Sequence, residues 1–557
     1  MKKLTLVKRY WKLWKTQTLL HRFTFYFLFI LGFGLRLGYL FQPVRNNEAY
    51  SYLAFSSNSL KVVMTSYNVP GNHIFHNILT YFTTRIFGNN VVALRLPVFL
   101  CGLLVIPLTY LVVRKLAKNH NAALLAMAMV AISSGLVGYS TQAEGYMVQA
   151  ALLLGLVLVG IHLINTDSIG GWVGFTILAV LGLFTIPTFV YFFPPVMIWV
   201  FLSRFFGHYD RPRLVKRSLV SLAGVVALTL LLYAPALSVS GAGALRGDPR
   251  FKGGVIALPW STFMRGLPTN VNSIWSMTGV GIPGVFVVIL LAGVVVTTLL
   301  YKRVIKTGTN LALILLLWIV IVYLALRQLA FPGTFVPIIP LYMGFASIGV
   351  YAVWKLVVSW VKRVMPARLL SPLMYAVAAF LLITLVYSMV FVAQGPYQLD
   401  VNGRIMEGTM RDASAITRVL KKELRPGDMV ISMAGLGTVP LEYYFRQNRI
   451  PLNFLSGTVA QMKDWENGNY FRYMNDQFNA MTRNKIKRAI LVSDEREGQS
   501  LFKVTQYAVV FMGFDSQNFG GKPTLLHETD WSMVQAIQRQ GTTPITRKDF
   551  LPAKAEQ

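Results

Sequence analysis

The sequence predicts a mainly α-helical, polytopic membrane protein with about 11 transmembrane helices, followed by a small α/β domain at the C-terminus. Three observations predict it. Of 557 residues, 54% are hydrophobic and only 13% charged, about half the charged fraction of a soluble domain, and the mean hydropathy is +0.52. The 22 acids are unevenly spread: Glu48, Glu144, Asp167, Asp210 and Asp248 are the only five before residue 399. Through that same part run apolar stretches of roughly 20 residues, the length that crosses about 30 Å of hydrocarbon. An ordinary soluble enzyme is excluded. Residues 1–398 carry 32 Lys and Arg against those five acids, but the cations flank apolar stretches, so they are no nucleic-acid footprint.

The expected spans are 22–42, 91–113, 121–138, 147–165, 170–186, 187–203, 218–240, 282–301, 310–327, 335–354 and 372–393. Lys and Arg of short loops stay on the cytoplasmic side. The N-terminal segment through Arg22, RKLAK (114–118), Arg204 to Arg217, YKRVIK (301–306) and Lys355 to Arg368 hold 22 cations, and the opposite loops nine. The N-terminus is therefore expected inside a cytoplasmic (inner) membrane and everything after about residue 394 outside. Arg36 interrupts the first stretch and no A-x-A site follows it, so an uncleaved anchor is expected.

This divides the chain into a transmembrane domain, 1–394, with large outer loops at 43–90 and 241–281, and an extracytoplasmic domain, 395–557. In the tail, PGDMVISMAGLG and KIKRAILVSD read as strands, and DASAITRVLKKELRPGD as a helix between turns. That alternation predicts an α/β domain. The single cysteine, Cys101, lies in an apolar stretch, so no disulfide within the chain staples the tail.

Acids at the edge of a membrane domain are expensive and mark functional candidates. Asp167 and Asp210 fall in cytoplasmic loops, which leaves Glu48, Glu144 and Asp248 outside. Glu48 sits in VRNNEAYSYLAF, on a helix that Asn46 or Asn47 would cap. Past a turn at Pro70-Gly71, His73 and His76 lie three apart on one face of an aromatic helix. As neutral imidazoles beside a carboxylate they would suit a divalent metal; as cations they would contact a phosphate. Neither spacing is diagnostic of a metal, so no cofactor is firmly implied. Nine outer cations, among them Arg45, Lys61, Arg85, Arg95 and Arg327, favour an anion at the membrane boundary. Glu144 lies in GYSTQAEGYMVQ beside Tyr139 and Tyr146. A carboxylate to take a hydroxyl proton, cations for a departing phosphate and an aromatic cleft together suit group transfer from a lipid phosphate.

At these residues the sequence resembles the GT-C glycosyltransferases of the polyprenyl-phosphate-sugar type, the family-39-like group that includes protein O-mannosyltransferases and the aminoarabinose transferase of lipid A. Arg36 followed by NNEAYSY is similar to the family's Arg and Asp-Glu at the first outer loop, and NVPGNHIFHNIL to an Asn-His stretch in a subset of members. FGNNVVALRLP, YSTQAEGY, FPGTFVPIIPL and the PGDMVISMAGLG region resemble further family stretches. The resemblance implies inverting transfer of a sugar from a polyprenyl phosphate to a lipid, glycan or protein acceptor outside the membrane. On the family's pattern Glu48 and Glu144 are the catalytic candidates, Asn47 and Tyr146 the acceptor side, and Lys61, His73, His76, Arg327 and Arg36 the donor-phosphate side. Three positions depart from the pattern: Asn47 stands for Asp, Glu144 for Arg and Thr334 for Arg. An amide accepts no proton at neutral pH, so Asn47 is not the base; Glu48 is the first candidate for general base or acceptor contact, and the other candidate is Glu144, on the acceptor side, which would take over the lost acidic role. The alternative is a catalytically impaired relative that binds lipid-linked glycan and assists a partner enzyme. A secondary transporter would show inverted repeats and mid-membrane acids, and neither is found.

Overall fold

Long apolar helices cannot leave backbone groups unpaired in lipid, and in the computed structural model they follow one another from Leu19 to Val361. The structure describes residues 17–67, 72–207, 211–240, 257–279, 284–305, 307–361, 363, scattered positions between 372 and 387, 410, 412–432, 438–455, 458–460, 486–493, 524–528 and 533–538. The turn expected at Pro70-Gly71, most of the 372–393 stretch, and Asp210 and Asp248 lie outside the described residues.

The first helix is α1 (Leu19–Leu40). The 43–90 segment then folds into α2 (Asn46–Ser51), continued by a π-helical turn (Tyr52–Ser56), α3 (Leu60–Thr65) and α4 (Ile74–Phe87). There follow α5 (Val91–Ala117), α6 (His120–Ile132), α7 (Ser134–Ser140), α8 (Tyr146–Asn165) and α9 (Ile169–Thr185). A 3₁₀ turn (Pro187–Tyr191) leads into α10 (Phe193–Phe205), and α11 (Arg211–Ser240) completes this half. The second half contains α12 (Trp260–Gly279), α13 (Gly284–Leu299), the short α14 (Tyr301–Val304), α15 (Leu311–Leu326), a 3₁₀ turn (Pro332–Ile338) and α16 (Ile339–Val361). Among the described residues six helices are long and apolar enough to cross a membrane, and α6 with α7 makes a seventh across a 60° bend. The apolar α9, α13 and α15 are shorter. Helix α12, with 20 residues, occupies about half of the expected second outer loop, 241–281; its Trp, Met and Leu positions alternate with Asn, Thr and Ser, which breaks the hydropathy signal.

Two devices hold the bundle. Ser133 caps α7 by accepting from the Leu136 amide, which permits the bend. The freed carbonyls of Val130 and Ala131 at the end of α6 accept from Arg36 at 3.2 and 3.0 Å; Gly32 O and Ser140 Oγ accept from the same guanidinium. The negative end of a helix thus satisfies a fully buried arginine. Elsewhere α13 crosses α16 with backbones in contact: a Cβ on Gly349 would overlap the Gly293 carbonyl oxygen, and Thr297 Oγ1 donates to Phe345 O at 2.6 Å. Small residues at such crossings replace the missing hydrophobic drive between helices in lipid.

The C-terminal part carries α17 (Ala413–Glu423), β1 (Asp428–Ser432), α18 (Thr438–Gln447), β2 (Arg488–Ser493), β3 (Thr524–Glu528) and β4 (Met533–Gln538). The four strands form one sheet in the order β1-β2-β4-β3. Strands β1 and β2 are parallel, with Val430 opposite Ile490, and β4 is antiparallel to both β2 and β3. The expected strands in MVIS and RAILVS and the expected helix in ASAITRVL stand where the pattern put them, which gives the mainly α fold its small sheet domain.

Replacing Gly349 by Ala should lower thermal stability in detergent by about 1–3 kcal/mol through overpacking, although Ala is otherwise the better helix former. Gly34→Ala, whose added methyl meets nothing within 4 Å, should not. Equal melting temperatures for the two variants would contradict the close crossing.

Candidate functional site

The site is built where the 43–56 segment, the start of α5 and the 141–145 turn meet. Glu48 is fully buried in α2. Oε1 accepts the Arg45 amide at 2.7 Å and Arg95 Nη2; Oε2 accepts Arg95 Nε and the Ala143 amide, both at 3.0 Å. Neither Asn46 nor Asn47 caps the helix: Arg45 is the cap residue, and the side chain of Glu48 reaches back to its amide. Arg95 spends its remaining N–H groups on the carbonyls of Leu40, Gln42 and Pro43, at 2.7, 2.7 and 3.0 Å. Burial alone would raise the Glu48 carboxyl; the charge and hydrogen bonds of Arg95 and the two amides overcome it and hold the pKa below the usual range.

Glu144 is as buried and in the opposite state. Its carboxylate accepts Gln142 Nε2 at 2.6 Å and a hydrogen bond from the Asn47 side chain. The Oε1 of Gln142 in turn accepts Arg45 Nη1 at 2.7 Å. Burial, with the charge of Glu48 nearby, pushes the Glu144 pKa up to about 7, against smaller opposing effects of Gln142, Asn47 and Arg45. Asn47 itself is exposed. The structure therefore brings Asn47 and Glu144 into direct contact, the two positions where the sequence departs from the family pattern in opposite senses.

The next residue continues the wall. Gly145 donates its amide to His73 Nδ1 at 2.9 Å, and a Cβ there would press on Thr185 and His73 at 2.7 and 3.1 Å, so only glycine fits. With Nδ1 accepting, the His73 proton sits on Nε2. Burial lowers the His73 pKa to about 3, so His73 is a neutral N–H donor and not a cation. Its ring meets Tyr146 edge-on at 5.1 Å; Tyr146 packs against Tyr139 at 5.6 Å and stacks on Phe331 at 6.2 Å. Phe331 is 43% exposed and ends the wall. Thr334, in the 3₁₀ turn beyond it, is buried.

The remaining predicted residues spread out. His76 turns away from His73 into a buried polar network: its Nδ1 contacts Asn77 Oδ1 at 3.2 Å and its Nε2 Thr80 Oγ1 at 3.3 Å, while Asn77 also joins Ser51 and Asn72. Burial lowers its pKa to about 4, which makes it neutral too. The reading of charged imidazoles on a phosphate therefore does not survive. Arg36 is consumed by the end of α6, which takes it off the donor-phosphate side. Lys61 is exposed on α3, and Arg327, in a left-handed C-cap at φ 48°, lies over the Trp260 ring at 5.5 Å. Among the described residues no group of three His, Cys, Asp or Glu converges. Sequence reasoning missed Arg95 as the partner of Glu48 and Gln142 as the link from Arg45 to Glu144. The signal for Arg95 was present: an arginine in the second turn of an apolar helix needs an acid, and few were available.

Residues 72–238 match the family model described as dolichyl-phosphate-mannose-protein mannosyltransferase. No curated protein matches the chain in sequence. The fold is similar to that of ArnT from Cupriavidus metallidurans in the apo state, with TM-score 0.52 and 16% identity over 91% of this chain and 97% of that one. It is also similar to the apo oligosaccharyltransferase of Archaeoglobus fulgidus, with TM-score 0.51 and 13% identity over 90% and 73%. The chain thus has the membrane fold of the GT-C type that its motifs resemble. The matched stretch includes His73, Glu144 and Tyr146, and begins after Glu48.

Breaking the buried pair should be severe. Arg95→Met leaves Glu48 without its counter-charge and should cost about 3–5 kcal/mol, read as loss of folded protein in a detergent melting series. Glu48→Gln/Arg95→Met should recover part of it. Because the Glu48 pKa is lowered on folding, its contribution is complete above about pH 4.3, the unfolded carboxyl value, and is lost as the pH falls through the lower folded value.

Proposed function

We propose that this protein is a membrane glycosyltransferase that moves a sugar from a polyprenyl phosphate to an acceptor on the outer face of the cytoplasmic membrane, with Glu144 as the proton acceptor. The matched family's donor chemistry and the shared fold support the class of reaction. The observation that carries the base assignment is the contrast between two buried carboxylates: Glu48 has four donors on its two oxygens, whereas Glu144 titrates near neutral pH. A general base works best with its pKa near the working pH.

In the proposed step an acceptor hydroxyl oxygen attacks the anomeric carbon from the side opposite the phosphate. The bond from that carbon to the phosphate oxygen breaks and its electron pair leaves with the phosphate. The hydroxyl proton goes to Glu144. Asn47, exposed and already bonded to Glu144, orients the carboxylate and faces the acceptor, and Tyr146 with Phe331 flanks the sugar. Lys61 and Arg327 stand apart from this wall and offer the departing phosphate only a longer-range attraction, while His73 offers one neutral N–H. The orientation inferred from loop cations, N-terminus inside and sheet domain outside, supports an outer-surface position for this end of the bundle.

Glu144→Gln should lower turnover of dolichyl-phosphate mannose about 10²–10⁴-fold, the usual contribution of a general base, with the fold intact by melting temperature. Since the ionised form is active, kcat/KM should rise with pH through about 7 and level off above it. Wild-type release of polyprenyl phosphate by Glu144→Gln would remove Glu144 from the mechanism. Binding of the lipid donor without release, across lipid, glycan and peptide acceptors, would favour the accessory reading, in which the amide at Asn47 marks lost catalysis.

A further inference from the structure

The C-terminal part does not close on a core of its own. Val44, Ala49, Tyr52 and Ala143 belong to the same buried cluster as Ile416 of α17, Phe445 of α18, Val430 of β1 and Ile490 of β2. At the centre of this contact the Tyr444 hydroxyl accepts the Val44 amide at 3.2 Å. That amide belongs to the same planar peptide unit as the Pro43 carbonyl, which accepts Arg95 Nη2 at 3.0 Å. One rigid peptide is therefore held from both sides, by Arg95 of the bundle and by Tyr444 of the C-terminal part. The next amide, of Arg45, is the one bound to Glu48, and the Arg45 side chain leads through Gln142 to Glu144. The adjacent Tyr443 meets Tyr52 edge-on at 5.6 Å, and its hydroxyl has no hydrogen-bond partner among the described residues.

We infer that Tyr444 is a positioning residue for the transfer reaction: the C-terminal part sets the plane of the Pro43–Val44 peptide and so where Asn47 and Glu144 stand. This rests on the reading of Glu144 as base, but the geometry at Val44 does not. Helix α18 is then a working part of the site and not a cover over it.

The test uses the full chain in lipid nanodiscs. Tyr444→Phe keeps the ring and removes the acceptor; Tyr443→Phe, one residue away, removes a hydroxyl without a partner. Amide hydrogen exchange should accelerate at Val44–Ala49 and Ala143–Gly145 in Tyr444→Phe and stay at the wild-type rate in Tyr443→Phe. With dolichyl-phosphate mannose as donor, Tyr444→Phe should lose about tenfold in kcat, the scale of a small misplacement, with KM within about twofold. The midpoint of its pH–rate curve should fall from about 7 toward the ordinary carboxyl range as Glu144 becomes less buried. Unchanged exchange in Tyr444→Phe overturns the inference whatever the activity, and so does equal damage in Tyr443→Phe, which would make the effect one of general packing. Faster exchange in Tyr444→Phe together with an active Glu144→Gln enzyme would retire the base assignment and keep the positioning role.

Discussion

The site depends on one buried ion pair. Arg95 and Glu48 are both excluded from solvent, and desolvating two charges is repaid only where every donor and lone pair finds a partner. Here they do. The guanidinium binds the carboxylate and three carbonyls at the end of α1, and the carboxylate binds two backbone amides from opposite sides of the cleft. The pair thereby joins four pieces of chain that are distant in sequence: the exit of α1, the first turn of α2, the start of α5 and the 141–145 turn. Few apolar contacts could fix their relative positions as tightly, because a hydrophobic contact has no direction and a bidentate pair does.

Two carboxylates within this frame have equal burial and opposite chemistry. What separates them is the number and charge of their donors. Glu48 faces a full guanidinium and two amides; Glu144 receives neutral side-chain amides, with Arg45 held one residue away by Gln142. The environment pushes the two pKa values apart, the arrangement by which one site can hold a permanent anion and a titrating acid together. The polarity change at Asn47 and Glu144 fits this logic: an acid moved across the cleft keeps one titrating group in the space between.

Much of the fold was legible because hydropathy is additive along a helix, and the stretches at 91–113 and 147–165 announce α5 and α8 without help from the rest of the chain. The tail's strands were legible for the same local reason. The site was only half readable. Glu48 and Glu144 stood out through scarcity, but their roles depend on Arg95 and Ala143, which reach Glu48 by tertiary contact across 47 and 95 positions, and on Gln142, which ties neighbouring Glu144 to Arg45 across 97. His73 and His76 show the limit most clearly: helical spacing placed them on one face, yet the Gly145 amide draws one ring toward the cleft and Asn77 draws the other into the loop's interior. Arg36 misled for a related reason, since a helix end offers carbonyls to a cation as readily as an anionic ligand offers oxygens, and sequence does not distinguish them.

The bond between Arg36 and the end of α6 also bears on how the chain is made. Its acceptors at Ala131 and Val130 lie 95 and 94 residues further on, so during synthesis the first described helix reaches the bilayer with an arginine whose main partners have not yet been translated. Arg36 lies four residues from the end of α1, so the roughly 2.5–3.5 kcal/mol that an arginine costs at a helix centre is reduced there by reaching the interface. Until α6 and its bend arrive, the Arg36 guanidinium has the interface as its polar surroundings. The buried state of Arg36 is thus completed only after several further helices have been made, because its carbonyl partners at Val130 and Ala131 come from α6.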